Sequence, residues 1–394
     1  MRIVNKKLLP LTLGGLSIGT TEFVMMGLVP HIAHDLRVQV YQVGYAIAAY
    51  ALGVVIGAPL LTMWGSRMPP KRHLTLLMVM FTIFNTLSAF APNQVTFVLL
   101  RLLSGLPHGA FYGVGSVVAV RLAQEGKQAQ AIAAMFAGIT FASLLTVPIG
   151  TYLGEHYSWR YALGGVGFLG LLTLLALRAL LPDLAAEEIG SRRAQLALFK
   201  RVEPCLIFFI TAIGTGGLFC WISYISPFMT SVVGFSPRTM PAIMIVVGVG
   251  MVVGNMLGGH LADRVAPLTA CISLLLAMAG TLLVIYFAAF SQPLSLVMAF
   301  VAGGCSMAIG APIQILMIQA SKDAELLGAS VTQAAFNMGN ALGAFLGGLP
   351  IAAGYSNAAP ELVGVAMALS GAALAYMLVR TTRAQSLEKP ALSA

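Results

Sequence analysis

Glu22 is the side chain best placed to do chemistry. It stands in the apolar stretch Leu16-Ser-Ile-Gly-Thr-Thr-Glu22-Phe-Val-Met-Met, where an acid costs several kcal/mol unless it is neutral, paired or wet. A group charged in one state and neutral in another is what a device needs to couple protons to movement. The plainer alternative is a structural carboxyl bonded to a neighbouring helix. Arg101 is its natural partner. At 1.5 Å per residue, Glu22 lies about 12 Å from the Pro30 end of its span and Arg101 about 9 Å into another, so the two share a depth. An ion pair would hold Glu22 ionised, and breaking it would let a proton bind. Arginine keeps its own proton, so it acts through its field or as a static latch. His108 follows Arg101 by seven residues on the same helical face, with Ser104, Gly105, Tyr112 and Gly115. A half-buried imidazole could bond a sugar hydroxyl, relay protons or serve as an interhelical donor.

Further along, Phe219, Trp221, Tyr224 and Phe228 gather around Pro227. They could form an aromatic wall for an amphipathic organic molecule or an interfacial belt. Trp221, farther from the end of its span, is the stronger pocket candidate. Gln314, Asn337 and Asn340 add neutral hydrogen-bonding groups, or glue between helices worth about 0.6 kcal/mol per bond. The pocket expected from these residues is lined by His108, Tyr112, Trp221, Gln314 and Asn337.

The elements that must position them are membrane helices. Charged residues make up 9% of the 394 and hydrophobic ones 58%, against about a quarter charged in a soluble domain. The apolar runs are continuous, which indicates helices and not a barrel. Twelve spans are expected, at about 8–30, 41–63, 74–91, 95–119, 128–151, 160–181, 203–230, 238–261, 267–290, 294–319, 326–350 and 360–380. The fold class is thus an all-α membrane protein of twelve transmembrane helices in two six-helix halves. Its parts are an N-terminal half 1–181, a cytoplasmic linker 182–202, a C-terminal half 203–380 and a cytoplasmic tail 381–394. Lys and Arg crowd the gaps on the linker's side, whereas the other side holds Arg37, Arg160 and Arg238. Both termini are therefore expected inside. The basic patch Arg2, Lys6 and Lys7 precedes an apolar run without a small-residue cleavage site, which reads as an uncleaved first helix. The net charge of +9 belongs to this topology and not to nucleic acid. Cys205, Cys220, Cys271 and Cys305 show no metal spacing and read as small buried hydrophobes. An internal repeat supports the division. Gly53-Val-Val-Ile-Gly57-Ala-Pro-Leu60 through Arg67 aligns without gaps on Gly250-Met-Val-Val-Gly254-Asn-Met-Leu257 through Arg264, 197 residues later.

These segments resemble the major facilitator superfamily, and within it the drug:proton antiporters. Gly258-Gly-His-Leu-Ala-Asp263-Arg264 resembles the superfamily's loop signature. Its N-terminal copy has Ser66 where Asp is expected and keeps Arg67. Arg101-Leu-Leu-Ser-Gly105-Leu-Pro-His108-Gly109 is similar to the fourth-span Arg-x-x-x-Gly-x-x-x-Gly motif, and Thr146-Val-Pro148-Ile-Gly150 to a degenerate antiporter Gly-Pro motif. Gly19-Thr-Thr-Glu22-Phe, Tyr224-Ile-Ser-Pro227, Ala311-Pro-Ile-Gln314 and Ala335-Phe-Asn337-Met-Gly-Asn340 are similar to bacterial sugar, nucleoside and chloramphenicol efflux permeases. The resemblance implies gating by Asp263, Arg264 and Arg67, since a carboxylate there can cap a helix start or pair with a loop Arg.

Neither a P-loop nor a His-Glu-x-x-His motif is present. The expectation is a proton-coupled exporter of a small sugar-like compound or drug in the bacterial inner membrane. It would act as a monomer, with the proton as coupling ion and no other cofactor. An importer of the same fold and a non-transporting receptor or scaffold are the alternatives.

Overall fold

The computed structural model describes residues 6–38, 40–186, 196–322 and 324–387. Of the expected linker 182–202, residues 187–195 lie outside the described residues, as do 388–394 of the expected tail. The chain is a bundle of twelve long helices, and no strand occurs among the described residues. The first six are α1 (Leu9–Asp35), α2 (Val40–Gly65), α3 (Pro70–Ala89), α4 (Gln94–Leu122), α5 (Gln128–Phe141, continued as Val147–His156) and α6 (Trp159–Leu180). After the linker come α7 (Val202–Phe209, continued as Thr215–Ile222), α8 (Met240–Arg264) and α9 (Pro267–Phe287). The last three are α10 (Gln292–Ala308, continued as Gly310–Ala320), α11 (Glu325–Ala352) and α12 (Ala359–Leu387).

Local sequence explains the ends. Asn93, Ser158 and Ser291 each cap a helix by accepting a backbone N–H of its first turn. Proline opens α3 and α9, where no hydrogen bond is lost. Nine described helices are long and apolar enough to cross a membrane. The others, α1, α3 and α11, run to 27, 20 and 28 residues. Two of them, α1 and α11, carry polar groups into the interior, and α3 starts on Lys71 and Arg72. The last helix outruns its expected end at 380 and reaches Leu387.

The repeat seen in sequence has a matching job in space. A Cβ at Gly53 or Gly57 would strike the carbonyls of Leu102 and Leu106 on α4. One at Gly250 or Gly254 would strike those of Phe300 and Gly304 on α10. Glycine thus lets α2 lie against α4, and α8 against α10, at backbone contact. Among the described residues α2 and α4 form the most extensively packed helix pair.

Two helices are interrupted by π turns, Ala142–Thr146 within α5 and Ile210–Gly214 within α7. Both lie close to residues that line a central hollow.

Candidate functional site

Midway along the bundle, the helices part around this hollow of about 760 Å³, its open mouth included. Its walls come from α1, α4 and α5 on one side and from α7, α9, α10 and α11 on the other. Phe23, Phe136, Phe219, Phe336, Met278 and Met307 give it an apolar, aromatic lining. The polar groups are few. Glu22 and His108 face it from the first half of the chain. Thr215, Ser306, Gln333, Asn337 and Asn340 face it from the second.

Glu22 is only part-buried, and its carboxylate makes no hydrogen bond with any described residue. Arg101, one helix away, is 1% exposed. Its guanidinium donates to Thr21 Oγ1 at 2.7 Å, to the Thr21 carbonyl at 3.2 Å and to Asn85 Oδ1 at 3.4 Å. Among the described residues no ion pair joins it to Glu22. It is near enough for its charge to bear on the carboxylate without touching it. The expected pair is therefore a charge held one residue back: Thr21, the residue before Glu22, takes the contact. Arg101 also lies over the Tyr50 ring, 4.4 Å from its centroid. The Tyr50 hydroxyl is 3.0 Å from His108 Nδ1.

The floor of the hollow is sealed on the side of the linker. Asp263, at the end of α8, accepts from the backbone N–H of Ala129 at 2.8 Å and of Gln130 at 3.0 Å. A helix start leaves such amides without partners, so this carboxylate caps α5 across the two halves of the chain. Asn255 donates to the Ala133 carbonyl at 2.7 Å, and Thr62 to Ser330 Oγ at 2.6 Å. Ala262, Ala311, Ile315, Leu326 and Ala329 join the core of the first half at the same level.

The hollow thus lies between two sets of helices and is floored by a capping Asp that ends a Gly-rich helix. Residues 11–348 match the family model described as Major Facilitator Superfamily. The chain belongs to that superfamily. It is 37% identical over 392 residues to AraJ of Escherichia coli (strain K12), with 99% of both chains covered. It is 38% identical over 379 residues to the inner membrane transport protein YdhP of the same organism, covering 96% of this chain and 97% of that one. The solved structure of the proton:xylose symporter XylE bound to 6-bromo-6-deoxy-D-glucose superposes with a TM-score of 0.74 at 18% identity, over 94% and 95% of the two chains. That likeness is one of fold. The superfamily's members are secondary transporters, and this chain is one of them by sequence and architecture.

Within this major facilitator fold the expected site residues separate into three groups. Glu22, His108 and Asn337 meet at the hollow. Gln314 stands one step behind it: buried, it donates to the Ala329 carbonyl and accepts from Gln333 Nε2 at 3.3 Å, so it steadies a lining residue. Tyr112 and Trp221 do not line the hollow as expected. Tyr112 is one turn deeper, where Phe136 stacks on it at 5.3 Å and its hydroxyl reaches the Gly15 carbonyl. It belongs to the floor. Trp221 is 0% exposed among Leu218, Ile225 and Met278, and it is Leu218 and Phe219 that turn inward. Of the gating residues, Asp263 makes its interhelical contact. Arg264 and Arg67 are exposed and form no hydrogen bond or ion pair among the described residues. Ser66 donates back to the Met63 carbonyl of its own helix, so the N-terminal loop copy caps nothing. Among the described residues no group of three His, Cys, Asp or Glu could hold a metal ion.

Thr21, Tyr50, Asn85 and Gln333 were not expected from sequence. Asn85 and Gln333 had a signal, each being an amide in an apolar run. Tyr50 had none, since a tyrosine in a membrane span is unremarkable by type.

Proposed function

We propose that this protein exports a small organic solute, sugar-like or drug-like, across the bacterial inner membrane in exchange for protons. The halves 1–181 and 203–380 rock about the linker 182–202, and the hollow opens to each side in turn. Glu22 is the group that takes and yields the proton, and Arg101 tunes it from behind. Cargo sits against His108, Asn337 and the aromatic lining. Asp263, with Arg264 and Arg67 at the surface, governs closure on the cytoplasmic side. Both termini are cytoplasmic, and the protein works as a monomer.

The observation that carries this reading is the bare carboxylate of Glu22 at the hollow. Its nearest cation is occupied by Thr21 and Asn85, so proton and cargo can compete for the acid without first breaking an ion pair. The relatives named for transport in the inner membrane support the compartment.

The test is cargo-induced proton release from purified protein, across a panel of pentoses, hexoses and amphipathic antibiotics, with Glu22→Gln beside the wild type. The variant should lose proton release with the responding compounds and retain binding. Proton release unchanged in the variant would remove Glu22 from the mechanism. Uptake and efflux of the same compounds in intact cells decide the direction.

A further inference from the structure

We propose that Tyr50 is a positioning residue that fixes His108 in one tautomer, with Nε2–H offered to the hollow as a hydrogen-bond donor. The proposal rests on the reading that the hollow receives cargo, but the tautomer itself does not depend on it.

Tyr50 is 3% exposed and sits behind the wall, not in it. Its hydroxyl has one side-chain partner among the described residues, His108 Nδ1 at 3.0 Å. A neutral imidazole holds one proton, and whichever nitrogen lacks it accepts. If Nδ1 carried the proton, Tyr50 would accept and its own hydroxyl proton would be left in the interior without a partner, which is costly. If Tyr50 donates, both groups are satisfied. A second observation points the same way. Arg101 lies over the Tyr50 ring at 4.4 Å, and a cation on that face draws electron density from the phenol and makes it a better donor. Thr21 and Asn85 hold the guanidinium there.

The consequence reaches the hollow through His108, which is part of its wall. With Nδ1 committed to Tyr50, the ring meets cargo through Nε2–H. The opposite wall lacks such a donor in several places. Thr215 spends its hydroxyl proton on the Thr211 carbonyl, Ser306 on the Gly303 carbonyl, and Asn337 spends an amide proton on the Gln333 carbonyl. Glu22, when ionised, only accepts. His108 therefore selects for a cargo oxygen at this point of the wall, and Arg101 acts on that selection at two removes.

The experiment is nitrogen-15 NMR of purified, full-length protein labelled at its six histidines, with the His108 signals assigned by their loss in His108→Gln. The wild type should show Nε2 protonated and Nδ1 bare. Tyr50→Phe keeps the ring beneath Arg101 and removes only the hydroxyl; there the two nitrogens should move toward a mixture of tautomers while the other five histidines stay in place. A protonated Nδ1 in the wild type, or His108 signals unmoved by Tyr50→Phe, overturns the proposal. Should Tyr50→Phe not fold, the wild-type spectrum still decides. None of these readouts involves proton release, so the roles of Glu22 and Tyr50 stand or fall separately.

Discussion

The arrangement around Glu22 separates a charge from its counter-charge by one residue. The two terminal nitrogens of Arg101 are held by an uncharged hydroxyl, a carbonyl and an amide, its buried Nε has no partner among the described residues, and the carboxylate beside them is left to the hollow. This puts the burden of holding Arg101 on Thr21 and Asn85. Hydrogen bonds to a charged group contribute about 1.5–3 kcal/mol each. Thr21→Val and Asn85→Leu should therefore lower stability by about 2 kcal/mol, seen as an earlier thermal unfolding transition in detergent. Both should also weaken cargo-driven proton release, since Arg101 would be free to reach Glu22. Trp221→Phe and Asn337→Leu make a contrasting pair. The first should leave affinity for a responding compound unchanged and the second should reduce it several-fold, read by equilibrium binding. The residue scale is also where sequence was least informative. Type and position marked Glu22, Arg101, His108 and Asn337, because a polar group in lipid must have a reason. Whether an aromatic residue points inward depends on helix rotation. The π turn at Ile210–Gly214 inserts one residue and so rotates the rest of α7 by about 100° relative to an unbroken helix. No pattern of apolar residues in α7 reports that turn, and Trp221 ends in the core while Phe219 faces the hollow.

Between helices the dominant device is backbone contact through glycine. The aligned pairs Gly53 and Gly250, and Gly57 and Gly254, press on carbonyls of α4 and α10 respectively. Overpacking a filled interface costs about 1–3 kcal/mol. Gly57→Val and Gly254→Val should thus destabilise the protein to a similar degree, measured by thermal unfolding, as expected if the two pairs are structural equivalents. This much was legible in the sequence, since the spacing of small residues repeats with the helices. The cap made by Asp263 was legible as a possibility and its target was not, because a loop motif does not say which helix start lies opposite. Two backbone amides of α5 depend on that carboxylate. Losing such a cap costs about 1 kcal/mol, or roughly a five-fold shift in an equilibrium. Asp263→Ala should open the linker side more often, read as faster labelling of a cysteine placed at Gln314.

Across the whole molecule, the contacts between the two halves of the chain gather at the linker end. Asp263, Asn255 and Thr62 all bond across the divide there, and a shared apolar cluster backs them. The hollow should accordingly be reached from the far end in this conformation. A cysteine at Asn340 should react with a membrane-impermeant maleimide added outside intact cells, and slow labelling there would argue for a different resting state. The architecture as a whole was readable from composition, charge placement and the repeat, because lipid permits few alternatives to a helical bundle. Which way the bundle faces is set by small differences in contact that no linear pattern records. One such difference lies at Ser66. On the flank of α8 and α5 an acidic bolt is shot; on the flank of α2 and α11 its counterpart turns back on its own helix, and a single uncharged hydroxyl pair holds the seam. A door secured along one jamb gives first along the other, so inward opening should start as a peel, with α2 leaving α11 before α8 leaves α5. Paired distance probes on the two flanks would register that order as two steps instead of one.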